Sequence, residues 1–407
     1  MSSLGISVRV PAVFERVRSR TRPAPLPRPP AYLVLLATVV VLNVVGLVMI
    51  LSASAVQALS AYGSSWYFFE RQLMWAVVGA GTFWLASRID YRHWRKASIP
   101  LLLIAGATLC LVLVPGIGIQ VDGARRWLGS GAIRFQPSEI AKLALLIYMA
   151  DVMTRRAEDV ANWERVLKPV LLVTGGIGFL VLIEPDLDST IVLAVIVLAG
   201  LIVGGLPTRQ LLRLLTVGFV GAVVASMAVP YRRARVLAFL HPSHDASNTG
   251  YQIRQSLIAL GSGGTAGVGL GQGRAKWMFL PNAHTDFIFA IIGEELGLVG
   301  CLLVLALFAG FGLVGLRIAR RAPDRFGTLL AAGVTAWVVG QAAINLGAVV
   351  AVLPVSGIPL PFLSAGGSAL VFTMTGAGML ANIARQCPPR REESDASRPV
   401  ATADSTS

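Results

Sequence analysis

The sequence predicts an all-α integral membrane protein, a polytopic bundle of about ten transmembrane helices with a large extracytoplasmic loop between spans seven and eight. Three observations predict it. Of 407 residues, 55% are apolar and only 14% charged, whereas a soluble domain carries roughly 25% charged residues. Apolar stretches recur along the whole chain, each near the roughly 20 residues that cross a hydrocarbon core about 30 Å thick. Lys and Arg then collect on alternate sides of those stretches, as the positive-inside bias requires.

The first span, 32–54, has a basic lead-in and ends in Ser52-Ala53-Ser54-Ala55, which invites comparison with a cleaved signal peptide. Its apolar run from Tyr32 to Leu51 is about 20 residues, against roughly 7–15 for a signal core, and is read as a retained anchor. Spans two to seven follow at 72–87, 98–114, 138–154, 167–183, 189–206 and 211–229, and the eighth, 286–316, is long. Spans at 327–352 and 366–385 complete the ten. The N-tail, Arg88 to Lys96, Arg155 to Lys168, Arg209 to Arg213, Arg317 to Arg325 and the C-tail hold 24 of the 35 basic residues. That side is cytoplasmic by the positive-inside bias, and with it both termini.

Residues 1–30, with six Arg and six Pro, form a disordered basic tail, 31–386 one membrane domain, and 387–407 a second disordered tail. The formal charge of +14 is mostly that of cytoplasmic loops, and no nucleic-acid motif accompanies it. Cys110 and Cys301 lie in apolar spans and Cys387 on the cytoplasmic side, so no disulfide framework is available.

Four polar segments fall on the outer side: Val121 to Glu139, Glu184 to Ser189, Tyr231 to Asp286 and Leu353 to Ser368. In the first, Arg126 and Trp127 precede Gln136-Pro-Ser-Glu139. Pro137 suits a first helical turn, and Glu139 can pair with Lys142 three residues on. These residues serve equally as an interfacial anchor or as a cationic grip on a phosphorylated lipid, with Lys142, costly inside a span, favouring the grip. Glu184, Asp186 and Asp188 crowd a turn, which is solvated, holds a divalent cation, or partners Lys142 or Arg126.

The large loop carries Gly261 to Gly273, then Arg274 and Lys276. The glycine run matches no nucleotide fingerprint and is either flexible or a phosphate cradle. His241, His244 and Asp245 offer too few ligands for a closed zinc site. His284 to Asp286 can cap a helix. Asp286 would share a helix face with Ala290, Gly293, Gly297 and Gly300, a groove of small residues suited to close packing or to a lipid chain. Three prolines between Pro354 and Pro361 forbid regular helix in the last segment, which should be a stiff loop packed against protein or a cavity.

At these residues the chain resembles the SEDS family of shape, elongation, division and sporulation proteins, of FtsW, RodA and SpoVE type. The resemblance spans nearly all of 32–385. It is carried by Arg126-Trp127, Gln136-Pro-Ser-Glu139 with Lys142, Glu184-Pro-Asp186, Tyr251-Gln with Gln255-Ser-Leu-Ile-Ala-Leu-Gly-Ser-Gly-Gly264, His284-Thr-Asp-Phe-Ile-Phe289 with Gly293-Glu-Glu-Leu-Gly297, and Pro359-Leu-Pro-Phe with Gly366-Gly-Ser368. Its loops are more similar to the FtsW branch than to the RodA branch. Asn282 stands where the family often has Glu, and Ala365 where Tyr is frequent.

The resemblance implies a peptidoglycan glycosyltransferase of the bacterial cytoplasmic membrane, placed at the division septum and serving septal cell-wall synthesis. It would polymerise lipid II (undecaprenyl-pyrophosphate disaccharide peptide) on the outer face, with a class B penicillin-binding protein and other divisome proteins as partners and membrane lipids around it. Asp286 would be the catalytic base, and Arg126, Trp127, Glu139, Lys142, Arg274, Lys276 and His284 would line the substrate site. A divalent cation, Mg²⁺ or Mn²⁺, at Glu184 and Asp186 is a weaker expectation. The rival readings are a lipid II flippase, which should carry its polar site near the bilayer midplane on broken helices, and a noncatalytic divisome scaffold.

Overall fold

The computed structural model describes residues 30–121, 124–130, 133–240 and 249–388; the two tails and His241, His244 and Asp245 lie outside the described residues. Twelve helices are described: α1 Pro30–Tyr62, α2 Tyr67–Arg88, α3 Ser98–Leu113, α4 Pro137–Arg155, α5 Lys168–Ile183, α6 Leu187–Val203, α7 Thr208–Ala228, α8 Pro230–Leu240, α9 Thr249–Ser262, α10 Ile288–Arg321, α11 Arg325–Val349 and α12 Gly367–Gln386. Each expected span has a helix at its place. Six helical stretches, α1, 163–183, α7, α10, α11 and α12, are long and apolar enough to cross a membrane, and α3 and α6 are shorter apolar helices. Hydropathy misjudged some ends. The second helix starts at Tyr67 rather than 72, because Glu70 and Arg71 lower hydropathy without interrupting helical geometry.

Two features of the polar segments depart from expectation. Between α3 and α4 the chain forms a three-stranded antiparallel sheet, β1 Ile119–Val121, β2 Ala124–Ser130 and β3 Ile133–Phe135, in the order β1-β2-β3. The large loop contains α8 and α9, of 11 and 14 residues. Helices this short escape a search for spanning runs of about 20 apolar residues.

The centre of the bundle is α4, α11 and α12, where Leu146, Leu330, Trp337, Ala377 and Leu380 are fully buried. By contrast, α7 has no buried residue. One end of the bundle is tied by Asp324, whose carboxylate accepts from Tyr91 Oη, Arg92 Nε and the Gly327 N–H, and by Asp151, which accepts from Arg95, Arg155 and Ser98. The four polar segments meet at the other end.

The face expected to run from Asp286 through Ala290, Gly293, Gly297 and Gly300 is not continuous. Asp286 precedes the helix, and α10 breaks at Gly297, where φ is 67° and ψ −162°. The glycine run lies in that break. Val268 N–H donates to Glu294 O and Gly269 N–H to Glu295 O, while the N–H groups of Leu298 and Val299 donate to Gly264 O and Thr265 O, at 3.0 to 3.2 Å. A Cβ on Gly267 would stand 2.2 Å from Glu295 O, and one on Gly297 2.3 Å from Gly267 N. Glycine here permits two backbones to touch, so the run is neither a loose loop nor a phosphate cradle.

Candidate active site

The site is assembled where the polar segments converge, and α11 connects its parts. On α4, Lys142 Nζ donates to Glu139 Oε1 at 2.7 Å and to Gln341 Oε1 at 3.2 Å, with 0% of the lysine exposed. It also lies 5.6 Å from the Trp337 ring centroid. Gln341 Nε2 then donates to Pro359 O in the proline-rich loop. One turn further along α11, Asn345 Nδ2 donates to Ile358 O and to Asp286 O, both at 2.8 Å. Two amides four residues apart on one helix face thus couple the buried ion pair to the backbone that carries Asp286.

Asp286 itself is half-buried at the mouth of α10. Its neighbours are fixed from the proline-rich loop, because Ser364 Oγ donates to Thr285 O at 2.5 Å and Ala365 N–H to His284 O at 3.0 Å. His284 is buried, with its ring 4.5 Å from that of Phe68. Burial pushes its imidazole down to about 4, so at neutral pH it is uncharged.

The acidic turn divides its carboxylates among different partners. Asp186 caps α6 by accepting from Ser189 N–H and also accepts from Gln136 Nε2 at 2.7 Å. Asp188 accepts from Gly357 N–H at 2.8 Å, with Arg235 of α8 at 3.6 Å. Glu184 is fully buried, and neither of its carboxylate oxygens has a partner. Desolvation raises it to about 9, with the Asp186 charge adding and Arg126 opposing. Among the described residues no group of three or more His, Cys, Asp or Glu stands ready to hold a metal. The donor set at Glu184 and Asp186 therefore does not by itself fit a divalent cation.

The expected cations are dispersed. Arg126, on β2, donates from Nε to Glu184 O at 3.0 Å and from Nη2 to Pro185 O, and Trp127 follows it in half-exposed register with Ile119. Lys276 is 7% exposed and pairs with Glu295 Oε1 at 2.9 Å beside Ser52 of α1. Arg274 is exposed, and its N–H donates to Glu294. Lys276 and Arg274 thus belong to the α10 break, whereas Arg126, Glu139, Lys142 and His284 belong to the surroundings of Asp286.

Sequence reading missed Gln341 and Asn345, gave Arg235 no role, and placed Asp188 in the acidic turn without its partners Gly357 and Arg235. A signal existed for the first two, since amides at helical spacing in an apolar span point to a partner inside the protein. Unsatisfied buried polar atoms also gather at this mouth: Glu139 Oε2, both Glu184 oxygens, Arg232 Nε, His284 Nδ1, Asn345 Oδ1 and Ser356 Oγ. Buried polar atoms in native structures find a partner in protein, ordered water or ligand, so this mouth is a place where polar partners from outside the fold are accommodated.

A helical membrane bundle with carboxylates, cations and unsatisfied polar groups gathered at one end is the architecture of an enzyme acting on a lipid-borne polar substrate. The family model FTSW_RODA_SPOVE, described as "Cell cycle protein", matches residues 32–388, and the chain belongs to that family. It is 41% identical over 353 residues to a probable peptidoglycan glycosyltransferase FtsW of Geobacter metallireducens, covering 86% of this chain and 94% of that one. It is 38% identical to stage V sporulation protein E of Bacillus subtilis, covering 88% and 97%. Its fold matches a chain of a solved peptidoglycan synthase complex, described as coordinating polymerization and crosslinking, with a TM-score of 0.72, 29% identity, and coverage of 87% and 97%.

Proposed function

We infer that the chain is a peptidoglycan glycosyltransferase that polymerises lipid II into glycan strands. The observation that carries this reading is the hydrogen-bonded assembly in which Gln341 and Asn345 tie the half-exposed Asp286 and the proline-rich loop to the buried Lys142–Glu139 pair. The named relatives give it its reaction. The growing glycan on its lipid pyrophosphate is the donor, and the 4-hydroxyl of another lipid II is the acceptor. As that hydroxyl attacks C1, Asp286 takes its proton and the pyrophosphate leaves. A positioned base is typically worth about 10² to 10⁴ in rate.

Arg126, on the same face, stabilises the departing diphosphate by charge-assisted hydrogen bonds. Lys142, wholly enclosed, acts in this conformation through Gln341 and the proline-rich loop rather than by touching phosphate. A Mg²⁺ or Mn²⁺ ion at Glu184 and Asp186 would need substrate phosphate oxygens to complete its shell. The ten helices span the bacterial cytoplasmic membrane with both tails cytoplasmic and the site outside, at the septum, beside a class B penicillin-binding protein. The positive-inside distribution and the likeness to a chain of a synthase complex support that arrangement.

The α10 break has the form of a transporter's discontinuous helix, but the glycine run fills it and satisfies the backbone that a flippase would expose. The deciding experiment is incubation of the purified protein with lipid II, with and without its penicillin-binding partner. Glycan chains are the expected product, and their absence in both cases, with lipid II movement across liposomes instead, would overturn the enzyme reading.

A further inference from the structure

The proline-rich loop approaches two carboxylates, one in the first turn of α6 and one just ahead of α10. Asp188, in the first turn of α6, accepts from Gly357 N–H at 2.8 Å, and Arg235 stands 3.6 Å from the same Oδ2. On the other side of Gly357 is Asp286. The point where a Gly357 side chain would begin lies 3.6 Å from Asp188 Oδ2 and 3.9 Å from Asp286 Oδ2. Leaving aside its chain neighbours Ser356 and Ile358, no other heavy atom of the described residues lies within 4 Å of that point. Gly357 is exposed. An open wedge therefore separates two carboxylate oxygens, with backbone as its floor.

A second observation bears on the same wedge. Asn345 is 1% exposed, and its Nδ2 grips both walls, Asp286 O and Ile358 O, while its Oδ1 has no partner. Ser356, next to Gly357, is likewise buried with an unpaired hydroxyl. The loop is thus held beside the wedge by two buried groups, each with a further polar atom turned to no protein partner.

We propose that Asp188, Gly357 and Asp286 form a hydroxyl-binding subsite for the acceptor sugar. Asp286 receives the proton of the attacking hydroxyl, and Asp188 accepts a hydrogen bond from the hydroxyl beside it on the same ring. Arg235 holds Asp188 in place, and Gly357 is required because any side chain would occupy the gap. A carboxylate acceptor gives a short, charge-assisted bond. A hydrogen bond to a charged group is worth roughly 10- to 100-fold in rate or affinity. The subsite rests on the glycosyltransferase reading and adds to it a determinant of acceptor orientation.

The alternative is that Asp188 merely holds the loop. Two substitutions separate these roles. Gly357→Ala keeps the N–H that Asp188 grips, and its methyl makes only ordinary contacts; a structural role predicts parent activity, and the subsite predicts at least a tenfold fall in polymerisation with unchanged thermal unfolding. Asp188→Asn keeps an oxygen for the Gly357 N–H and should lower kcat/KM for lipid II by roughly 10- to 100-fold. With lipid II whose terminal sugar is 3-deoxy or 6-deoxy, one analogue should be a poor acceptor for the parent and lose nothing further in Asp188→Asn, the non-additivity of a shared contact.

Parent-like polymerisation by Gly357→Ala, its failure to fold, or an Asp188→Asn loss that persists on both analogues would each overturn the subsite. Asp286→Asn is measured alongside. If it is inactive while Gly357→Ala is parent-like, the subsite alone fails; if it polymerises at the parent rate, the base assignment fails and the subsite with it.

Discussion

Two polar regions on α10 are built in opposite ways. At the Gly297 break, Glu294 accepts from the N–H groups of Arg274 and Ala275, Glu295 pairs with Lys276, and the freed backbone groups are taken by the glycine run. At the mouth, about ten residues earlier, Glu184, Asn345, Ser356 and His284 keep unpaired buried atoms. Both regions hold glycines, carboxylates and cations, so composition does not separate them. What separates them is whether the polar capacity is consumed internally. A consumed network fixes structure, whereas an unconsumed one has free energy to spend on a substrate.

Asp286→Asn tests the open region most severely. The amide keeps the shape and an acceptor oxygen, so folding and lipid II binding should persist while polymerisation falls by at least about 10². Near-parent turnover would mean that the mouth owes its unpaired groups to something other than catalysis.

Gly297→Ala attacks the closed region. It forces a side chain into positive φ and against the backbone of Gly267 and Thr265, which should cost about 3 kcal/mol or more. A lowered unfolding temperature in detergent, with parent activity per folded molecule, is the expected result. A selective loss of polymerisation with unchanged stability would erase the distinction between the two regions.

Arg126→Ala lies between these extremes. Loss of a cation beside the mouth should raise the KM for lipid II roughly tenfold and flatten its salt dependence. Arg126→Lys should recover the salt dependence but not the two backbone bonds that brace the Glu184–Pro185 turn. An unchanged salt dependence in both variants would remove Arg126 from the substrate site.

The smallest effect on turnover belongs to Glu184→Gln, which is read through stability instead. With its folded-state value raised from 4.5 to about 9, Glu184 keeps its proton in the fold through the range in which the unfolded chain loses it. The unfolded state therefore binds fewer protons between these values, and this group's contribution to stability falls as pH rises through them. Glutamine does not titrate, so the variant should gain on the parent between pH 5 and pH 8, by about 1.4 kcal/mol per pH unit while the two states differ by one proton. Thermal unfolding at the two pH values measures it, and a parallel pH response in both proteins would show that Glu184 is ionised in the fold.

Most of the scaffold was legible because membrane spans are written in composition: the apolar runs around Leu35, Leu146, Ile196 and Phe311 each became a helix. The four polar segments were also legible as a group, and the structure joins them through Gln136–Ser368, Arg126–Glu184, Asp188–Gly357 and Ala365–His284. The pairings were not, because which carboxylate meets which donor depends on contacts across 50 to 169 residues. Asp188 was read only as one of three acids in a turn. The glycine run announced close approach to something, but its partner, a broken helix about 30 residues on, left no local trace. Gln341 and Asn345 were passed over because α11 was treated as apolar wall.

The glycine run and the helix it completes also bear on how the chain is made. The four backbone bonds that close the α10 break join residues 264–269 to 294–299, a short separation with a small loop-closure cost. The run precedes α10 in the order of synthesis, and Ser52, which donates to Glu295 and accepts from Lys276, is made earlier still. When α10 leaves the ribosome, each partner for its exposed carbonyls and amides has already been translated. The break can therefore seal during insertion, before α11 and α12 exist, and a nascent chain ending near Arg321 should already protect the 263–269 segment from protease.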